Sequence, residues 1–562
     1  MDYKKFINFF VKENKKKLFF YLFINLINLI LEILGLSVFL LLIVALLDSN
    51  NDIQILNYFE FFKNNITYTL LLLLILFFIK TIFQIYCTFY QKKIEIDFEK
   101  KIFIKLLTKY LFLDFEDSSK INSVIKLRYL TSETKSVILY FSSILKIITE
   151  IIYVTGILTF LLFNYVKLTL IILITILFVG VVYYLFFKSK LTSLSKKRIF
   201  FDNILYKKII QGIHGLNEIK IYSLENFILK KIEFNLDKVN KYNLYSSFIS
   251  STPKYFFEFV TILIFVSTIF ILKSIFNYDN SLIIETLAVL ALCLLRSFPS
   301  FSKILAGFQE LNSRLPSVEV ISEQLSEKET PIFINNMKFN IEKFRSINLE
   351  NISFRYNKND EYILKDLNLS FNKGDIIGFF GKTGSGKSTL TNIISGLIKP
   401  STGKIFVNKK NIERVPHNYF SYVPQKPLII NDTIKSNIAF GIENENIDST
   451  KLNYALEKCE LREFIQKLPS GINEIISEDG KNISGGQAQR ISIARAIYFD
   501  RQILILDEST NSLDLETEKN IINFLNQLKY DITIIMISHN LENLKICNEV
   551  YELKEKKLNK IK

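Results

Sequence analysis

The stretch Ile376-Ile377-Gly378-Phe379-Phe380 runs straight into Gly381-Lys382-Thr383-Gly384-Ser385-Gly386-Lys387-Ser388-Thr389, and a helical pattern opens at Leu390. A short all-apolar run bounded this way reads as a buried strand. The glycines let the following loop close tightly on an anion, and a helix start adds unpaired N–H groups of its own. GxxxxGK[ST] between a strand and a helix is the context in which that spacing cradles the phosphates of a nucleotide. Lys387 is expected to reach the β- and γ-phosphates, and the Ser388 hydroxyl to bind Mg²⁺. This part of the chain is therefore read as an α/β domain.

Further along, the apolar run Ile503-Leu504-Ile505-Leu506 ends in Asp507-Glu508. A carboxylate at a strand end beside a phosphate loop holds Mg²⁺. The next one, Glu508, is placed to polarise an attacking water. A third apolar run, Thr533–Ile537, is followed by His539. The other two histidines, His214 and His417, have no such setting and read as surface residues.

Toward the N-terminus the character changes. The 562-residue chain is 49% hydrophobic, yet Lys+Arg (70) exceed Asp+Glu (55) by 15. Such apolar content excludes a disordered chain, and scarce glycine and proline exclude a collagen-like or linker-rich one. Six apolar runs precede residue 300, near Leu18–Leu47, Ile66–Tyr90, Val137–Phe163, Leu168–Phe187, Tyr255–Leu272 and Leu282–Phe298. About 20 helical residues cross a hydrocarbon core. Backbone polar groups must pair internally in lipid, so these runs are expected to be helices. A cleaved signal peptide is not expected, because the first run is long and no small-residue site follows it.

Loop charge alternates. Asp48–Asn65 holds one basic residue, Gln91–Lys135 ten, Lys188–Lys254 thirteen, and the remaining two links one each. Basic loops stay in the cytoplasm, which places both termini and the α/β domain there, in a multi-pass protein of the inner (plasma) membrane. This accounts for much of the positive charge without a nucleic-acid partner. The long basic segments themselves carry helical periodicity and read as cytoplasmic extensions of the spans. The four cysteines are isolated, which supports neither a disulfide framework nor a zinc site. The expected architecture is a membrane all-α domain of six spanning helices (1–328), a linker (329–347) and a cytoplasmic α/β P-loop nucleotide-binding domain (348–562).

One further segment narrows the class. Ile483-Ser484-Gly485-Gly486-Gln487 lies between the phosphate loop and the Asp507 strand, 98 positions after Lys387 (485 − 387 = 98). Tyr356, the phosphate loop, Gln425, this segment, Asp507-Glu508, Asp514 and His539 follow one another in the order seen in ATP-binding cassette (ABC) transporters. The chain resembles that family over Leu349–Leu558. The stretch Gly215–Glu225 is similar to the intracellular-helix motif of its exporters. The resemblance implies ATP and Mg²⁺ as cofactors, with Gly381 through Thr389 around the phosphates and Tyr356 stacked on adenine. It implies Ser388, Gln425 and Asp507 at Mg²⁺, Glu508 as catalytic base and His539 as the γ-phosphate switch. Ser484, Gly485, Gly486 and Gln487 would complete the site of an opposing subunit, which implies a homodimer hydrolysing ATP to drive transport. Asp514 would couple the two sites. Ile483, Ser509 and Asn511 depart from the usual leucine, alanine and serine, and Ser477–Gly480 lacks a customary glycine; none of these removes a catalytic group.

Glu32, Lys80, Lys146, Glu150, Glu258, Glu285 and Arg296 lie in or beside the spans, where ionisable residues usually face an aqueous cavity or each other. Snorkelling or an interfacial boundary is the plainer account of Lys80, Lys146 and Lys254. Pro253-Lys254 with Glu258, and Arg296 with Pro299, form a pattern similar to the bacterial lipid-linked oligosaccharide flippases. That resemblance implies a substrate cavity with Lys80, Lys254 and Arg296 and a polyprenyl-pyrophosphate-linked glycan as cargo. The alternative is a general lipid or multidrug exporter. No peptidase-like extension precedes the first run, so a peptide-maturing role is not expected. The apolar runs also argue against a soluble DNA-maintenance ATPase, and no regulatory insertion suggests a channel.

Overall fold

The computed structural model describes residues 3–47, 66–164, 166–274, 280–326, 343–357, 359–477, 480–509, 515–528 and 532–562. They separate into two compact units, Met1–Leu113 with Ile121–Ile332, and Asp114–Lys120 with Phe333–Lys562.

The first unit is helical. Its long elements are α1 (Tyr3–Leu47), α2 (Ile66–Phe112), α3 (Thr134–Asn164), α4 (Val166–His214), α5 (Glu225–Ser274) and α6 (Asn280–Ser326). A helix of α2's 47 residues is about 70 Å long, more than twice the roughly 30 Å hydrocarbon core, so helical structure continues well past the apolar run. The two halves of α2 differ accordingly. Ile94, Phe98, Ile102 and Leu106 repeat every four residues and are fully buried against Val137, Tyr140 and Phe141 of α3. Leu70, Leu74, Phe78, Ile82 and Phe89 are exposed. Only 11% of the most apolar window of α2 is buried, a surface that suits lipid rather than water. Among the described residues, four segments are long and apolar enough to span: Asn14–Phe39, Ile66–Phe112, Ser123–Leu162 and Glu225–Ser267. The expected spans Leu168–Phe187 and Leu282–Phe298 fall in α4 and α6, where many side chains lie outside the described residues. The Gly215–Glu225 stretch folds as a short helix, Leu216–Ile221, between α4 and α5.

Close helix approach depends on a missing side chain. A Cβ on Gly307 of α6 would sit 2.6 Å from Cγ1 of Ile147 on α3. Small residues at such crossings let backbones come together.

The second unit contains β1 (Ser346–Phe354), β2 (Leu364–Asn372), β3 (Ile376–Phe380), β4 (Thr402–Val407), β5 (Lys410–Ile412), β6 (Phe420–Val423), β7 (Ile503–Asp507), β8 (Thr533–Ile537), β9 (Glu549–Lys554) and β10 (Lys557–Lys560). One sheet runs β2-β1-β4-β5 and a second runs β10-β9-β3-β8-β7-β6, with a small two-stranded ladder pairing Asp432–Thr433 with Ile475–Ile476. In the second sheet β9, β3, β8, β7 and β6 are parallel. Parallel strands are covered on both faces, which is why β3, β7 and β8 are unbroken apolar runs. Ile376, Leu504, Leu506 and Ile534 pack into one core, and Ile377, Ile503, Ile505 and Ile535 into a second. The expected linker lies outside the described residues up to Glu342, and β1 starts at Ser346. This unit also takes in Asp114, which pairs with both terminal nitrogens of Arg414 at 2.7 and 3.1 Å.

Candidate active site

Because β3, β8, β7 and β6 are parallel neighbours, whatever follows each strand emerges at the same edge of the sheet. After β3 comes the phosphate loop, after β8 His539, after β7 Glu508, and after β6 Gln425. Chemistry spread over more than 150 residues of sequence thus reaches one rim.

The loop ends at Gly386, whose φ of 105° suits glycine, and α7 (Lys387–Ile394) begins there. Lys387 is buried and folds back over its own loop, donating to the carbonyls of Gly381 at 2.6 Å and Lys382 at 3.1 Å. The Ser385 hydroxyl is buried without a partner. A Cβ on Gly381 would meet Leu553 O at 2.8 Å and Ser385 Oγ at 2.9 Å, so the cradle tolerates no side chain there. A tight loop with an orphaned hydroxyl and an ammonium held only by carbonyls fits a polyphosphate. Thr389 is buried, whereas Lys382, Thr383, Gly384 and Ser388 are exposed.

Glu508 is clamped. Its N–H donates to Ile537 O at 2.9 Å, Gln425 Nε2 donates to one carboxylate oxygen at 2.7 Å, and His539 Nδ1 lies 3.0 Å from the other. Asp507 accepts from the Tyr422 hydroxyl at 3.0 Å. Burial pushes the Asp507 carboxyl above the usual range; the Tyr422 hydrogen bond opposes this, the Glu508 charge adds to it, and Lys387 opposes it. Burial and the Asp507 charge in turn raise the Tyr422 phenol. The exposed Ser388 hydroxyl, Asp507 and Gln425 offer oxygen donors, the kind Mg²⁺ takes.

Tyr422 is not among the site residues expected from sequence. The signal was available, since alternation in β6 buries Ser421 and Val423 and turns Tyr422 the other way at the rim. Tyr356 is 48% exposed, with its ring edge-on to Phe354 at 5.1 Å. Ser484 and Gln487 belong to a separate element. They close a capping box at the start of α8 (Gly485–Tyr498), and none of their described hydrogen bonds reaches the Glu508 cluster. Gly485 faces open space, whereas Asn511 and Asp514 lie outside the described residues.

Of the expected cavity cations, the side chains of Lys80 and Lys254 are among the described residues. Lys80 is buried in an ion pair with Glu32, so helix packing rather than a cavity consumes its charge. Lys254 is exposed on α5, and the side chain of Arg296 lies outside the described residues. The first unit does hold a cavity of about 670 Å³, lined by α1, α2, α3 and α6. Its charged residues are Lys146, Glu150, Lys303 and Glu310; Lys303 pairs with Glu150 at 2.7 Å. Asn28 also lines it, fully buried, with both amide atoms unpartnered.

Fold and rim together define a phosphate-loop nucleotide-binding domain joined to a helical domain of membrane-spanning length. The family model for ABC transporters matches residues 364–511, and this segment is an ABC transporter domain. The chain is 36% identical over 185 residues to an ATP-dependent lipid A-core flippase of Cupriavidus pinatubonensis, covering 32% of this chain and 31% of that protein. It is 28% identical over 364 residues to the transport/processing ATP-binding protein ComA of Streptococcus pneumoniae, covering 63% and 49%. These alignments span from about a third to about half of the relatives' own length. Among solved structures, a bacterial Atm1-family ABC exporter with ATP bound superposes with a TM-score of 0.82 at 17% identity, covering 97% of this chain and 94% of that one. The whole chain therefore has the fold of an ABC exporter.

Proposed function

We propose that this chain is an ATP-driven exporter or flippase of an amphiphile. One observation carries the reading: the clamped Glu508 rim belongs to the same chain as helices that leave most of an apolar surface uncovered. Glu508 is the general base. Gln425 and His539 hold its two oxygens, so the carboxylate is oriented before the attacking water arrives. Lys387 exchanges loop carbonyls for phosphate oxygens, while the loop N–H groups and the start of α7 bind the anion. Ser388, Asp507 and Gln425 would hold Mg²⁺, which neutralises charge on the transferring phosphoryl group. Tyr356 offers its exposed ring to adenine.

Ser484 and Gln487 spend their described hydrogen bonds away from this rim, which supports a homodimer in which the α8 start of one copy closes the site of the other. The basic loops support cytoplasmic termini and an inner-membrane location. The substrate proposed is a lipid-linked one, a polyprenyl-pyrophosphate-linked oligosaccharide, flipped from the inner to the outer leaflet. A general lipid or multidrug exporter is the second reading. The pairing of Lys80 with Glu32 favours it, because that pairing removes one expected headgroup cation.

Reconstitution into proteoliposomes tests the proposal. Wild-type chain is expected to hydrolyse ATP and translocate a labelled lipid from a panel, whereas Glu508→Gln is expected to bind ATP with turnover roughly 10²- to 10⁴-fold lower. Wild-type turnover in that variant removes Glu508 from its role, and ATP hydrolysis without translocation of any lipid removes the transport reading.

A further inference from the structure

A second pocket in the first unit, of about 300 Å³, lies between α4, α5 and α6. Its wall is rich in hydroxyls and carries two guanidinium groups. Ser195 and Arg198 come from α4, Ser246 and Ser250 from α5, and Ser313 and Arg314 from α6. Ser195 is 4% exposed, and its hydroxyl has no hydrogen-bond partner among the described residues. Arg198 Nε is likewise unpartnered; its nearest carboxylate, Asp202, is 4.0 Å away, too far for a hydrogen bond. Burial, and after it the positive charge of Arg314, disfavours the charged form of Arg198. Glu310 is the acidic residue of the wall, but Arg314 Nε already holds it at 2.9 Å. Two guanidinium groups and one carboxylate thus face a small space, with a buried hydroxyl and further serines around them.

Depth along the chain fits a headgroup. Ser250 precedes the apolar run at Tyr255 by five residues (255 − 250 = 5) and Arg198 follows the run ending at Phe187 by eleven (198 − 187 = 11). Those separations are about 8 and 16 Å of helix; the first lies at the outer edge of a polar layer roughly 5–8 Å deep on each side, and the second lies beyond it. Glu310 lines both this pocket and the larger cavity, so the two adjoin. A pocket near 300 Å³ is at the small end for ligands of about 300–1,000 Å³, room for a headgroup rather than a whole lipid.

We propose that this pocket is a phosphate seat, a site where the phosphate or pyrophosphate group of the amphiphile is held by Arg198, Arg314 and the surrounding serine hydroxyls before entering the adjoining cavity. The inference rests on the transport reading for its role, but the binding it asserts does not. Guanidinium forks match phosphate oxygens in pairs, which a lysine cannot do. The hydroxyls supply donors that a carboxylate ligand with fewer oxygens would leave unused.

The test is direct binding to the full chain in detergent micelles, in a Lys387→Ala background that removes the phosphate loop's own affinity for anions. The probes are inorganic pyrophosphate, geranylgeranyl pyrophosphate and, as a control without phosphate, geranylgeraniol. Saturable binding of a pyrophosphate probe is expected, at least tenfold weaker in Ser250→Asp, whose carboxylate occupies the seat without removing a buried group. Arg198→Lys is expected to fall between wild type and Arg198→Gln. Equal binding of both pyrophosphates identifies a soluble anion as sufficient, and binding of the prenyl compound alone identifies a lipid source. Absence of saturable pyrophosphate binding, geranylgeraniol binding as tightly, or undiminished binding in Ser250→Asp overturns the proposal. Failure of translocation in proteoliposomes with binding intact sinks the transport reading and leaves the seat standing.

Discussion

Replacing Gly307 by alanine adds one methyl group at the crossing of α3 and α6, and its effect can be worked out from the contact it would make. The new Cβ would lie 2.6 Å from Ile147 Cγ1 and 3.0 Å from its Cδ1, with Ser143 O at 3.7 Å. Ile147 is buried, so it has little room to turn away. Overpacking of this kind costs about 1–3 kcal/mol, offset by about 1 kcal/mol from replacing glycine by alanine within a helix. Gly307→Ala alone is therefore expected to destabilise by roughly 0–2 kcal/mol. Ile147→Ala alone leaves a cavity and is expected to cost about 2–5 kcal/mol. In the double variant the clash is gone and the new methyl fills part of that cavity, so the double is expected to be more stable than the sum by about 1–3 kcal/mol. Thermal unfolding of the purified chain in detergent provides the assay. A thiol-reactive dye can follow it in a Cys293→Ser background, since the other cysteines, Cys87, Cys459 and Cys547, are buried and become reactive only on opening. A Gly307→Ala variant more stable than wild type, together with strict additivity in the double, would show that the two helices do not approach as closely as described.

Three further outcomes follow from the same reasoning. Folding raises the Asp507 pKa, so the nucleotide-free folded chain holds that proton more tightly than the unfolded chain, and stability is lost as pH rises through the raised value. Asp507→Asn is accordingly expected to melt higher than wild type at pH 8, with the gap closing as pH falls through the raised value toward about pH 4, while Mg²⁺-dependent ATP hydrolysis is lost; equal melting at pH 8 refutes this. Lys80→Met should destabilise by about 3–5 kcal/mol by removing the buried cation paired with Glu32, and adding Glu32→Gln should recover most of it; a loss of substrate stimulation without loss of stability would instead return Lys80 to the cavity. Ser509 buries a hydroxyl with no hydrogen-bond partner among the described residues, so Ser509→Ala is expected to raise the unfolding temperature, and a fall would reveal an interaction made by that hydroxyl.

The two units differ in how much of them the sequence discloses, and the reason is geometric. In the second unit each functional group follows an apolar strand, and the strands are parallel neighbours. Position after a strand in the sequence is then position at the rim in space. Glu508, His539, Gln425 and the phosphate loop can be read locally, because the sheet itself brings them together. What escapes is the sideways contact: Tyr422 meets Asp507 across the gap between β6 and β7, which no spacing within β6 announces.

The first unit offers no such rule. Long helices let an ionisable residue face lipid, a neighbour or a cavity depending on a rotation of a few tens of degrees, and the apolar periodicity that would fix this is blurred when both lipid and core are greasy. Lys80 and Arg198 illustrate the consequence. Each is a cation on a long helix, yet one is spent on Glu32, 48 positions away (80 − 32 = 48), and the other faces a serine-lined pocket without a hydrogen bond to its Nε. Charge count along the chain gave Lys80 a cavity role because it lies inside an apolar run, and passed over Arg198 because it lies outside one. The physical criterion points the other way. A buried cation that already has a carboxylate gains little from an anionic ligand, whereas an incompletely paired guanidinium beside another gains both a counter-charge and its missing hydrogen bonds. On the transport reading, the residues that select a cargo are therefore to be sought among incompletely satisfied cations at the polar edge of the spans, not among charges in the middle of them.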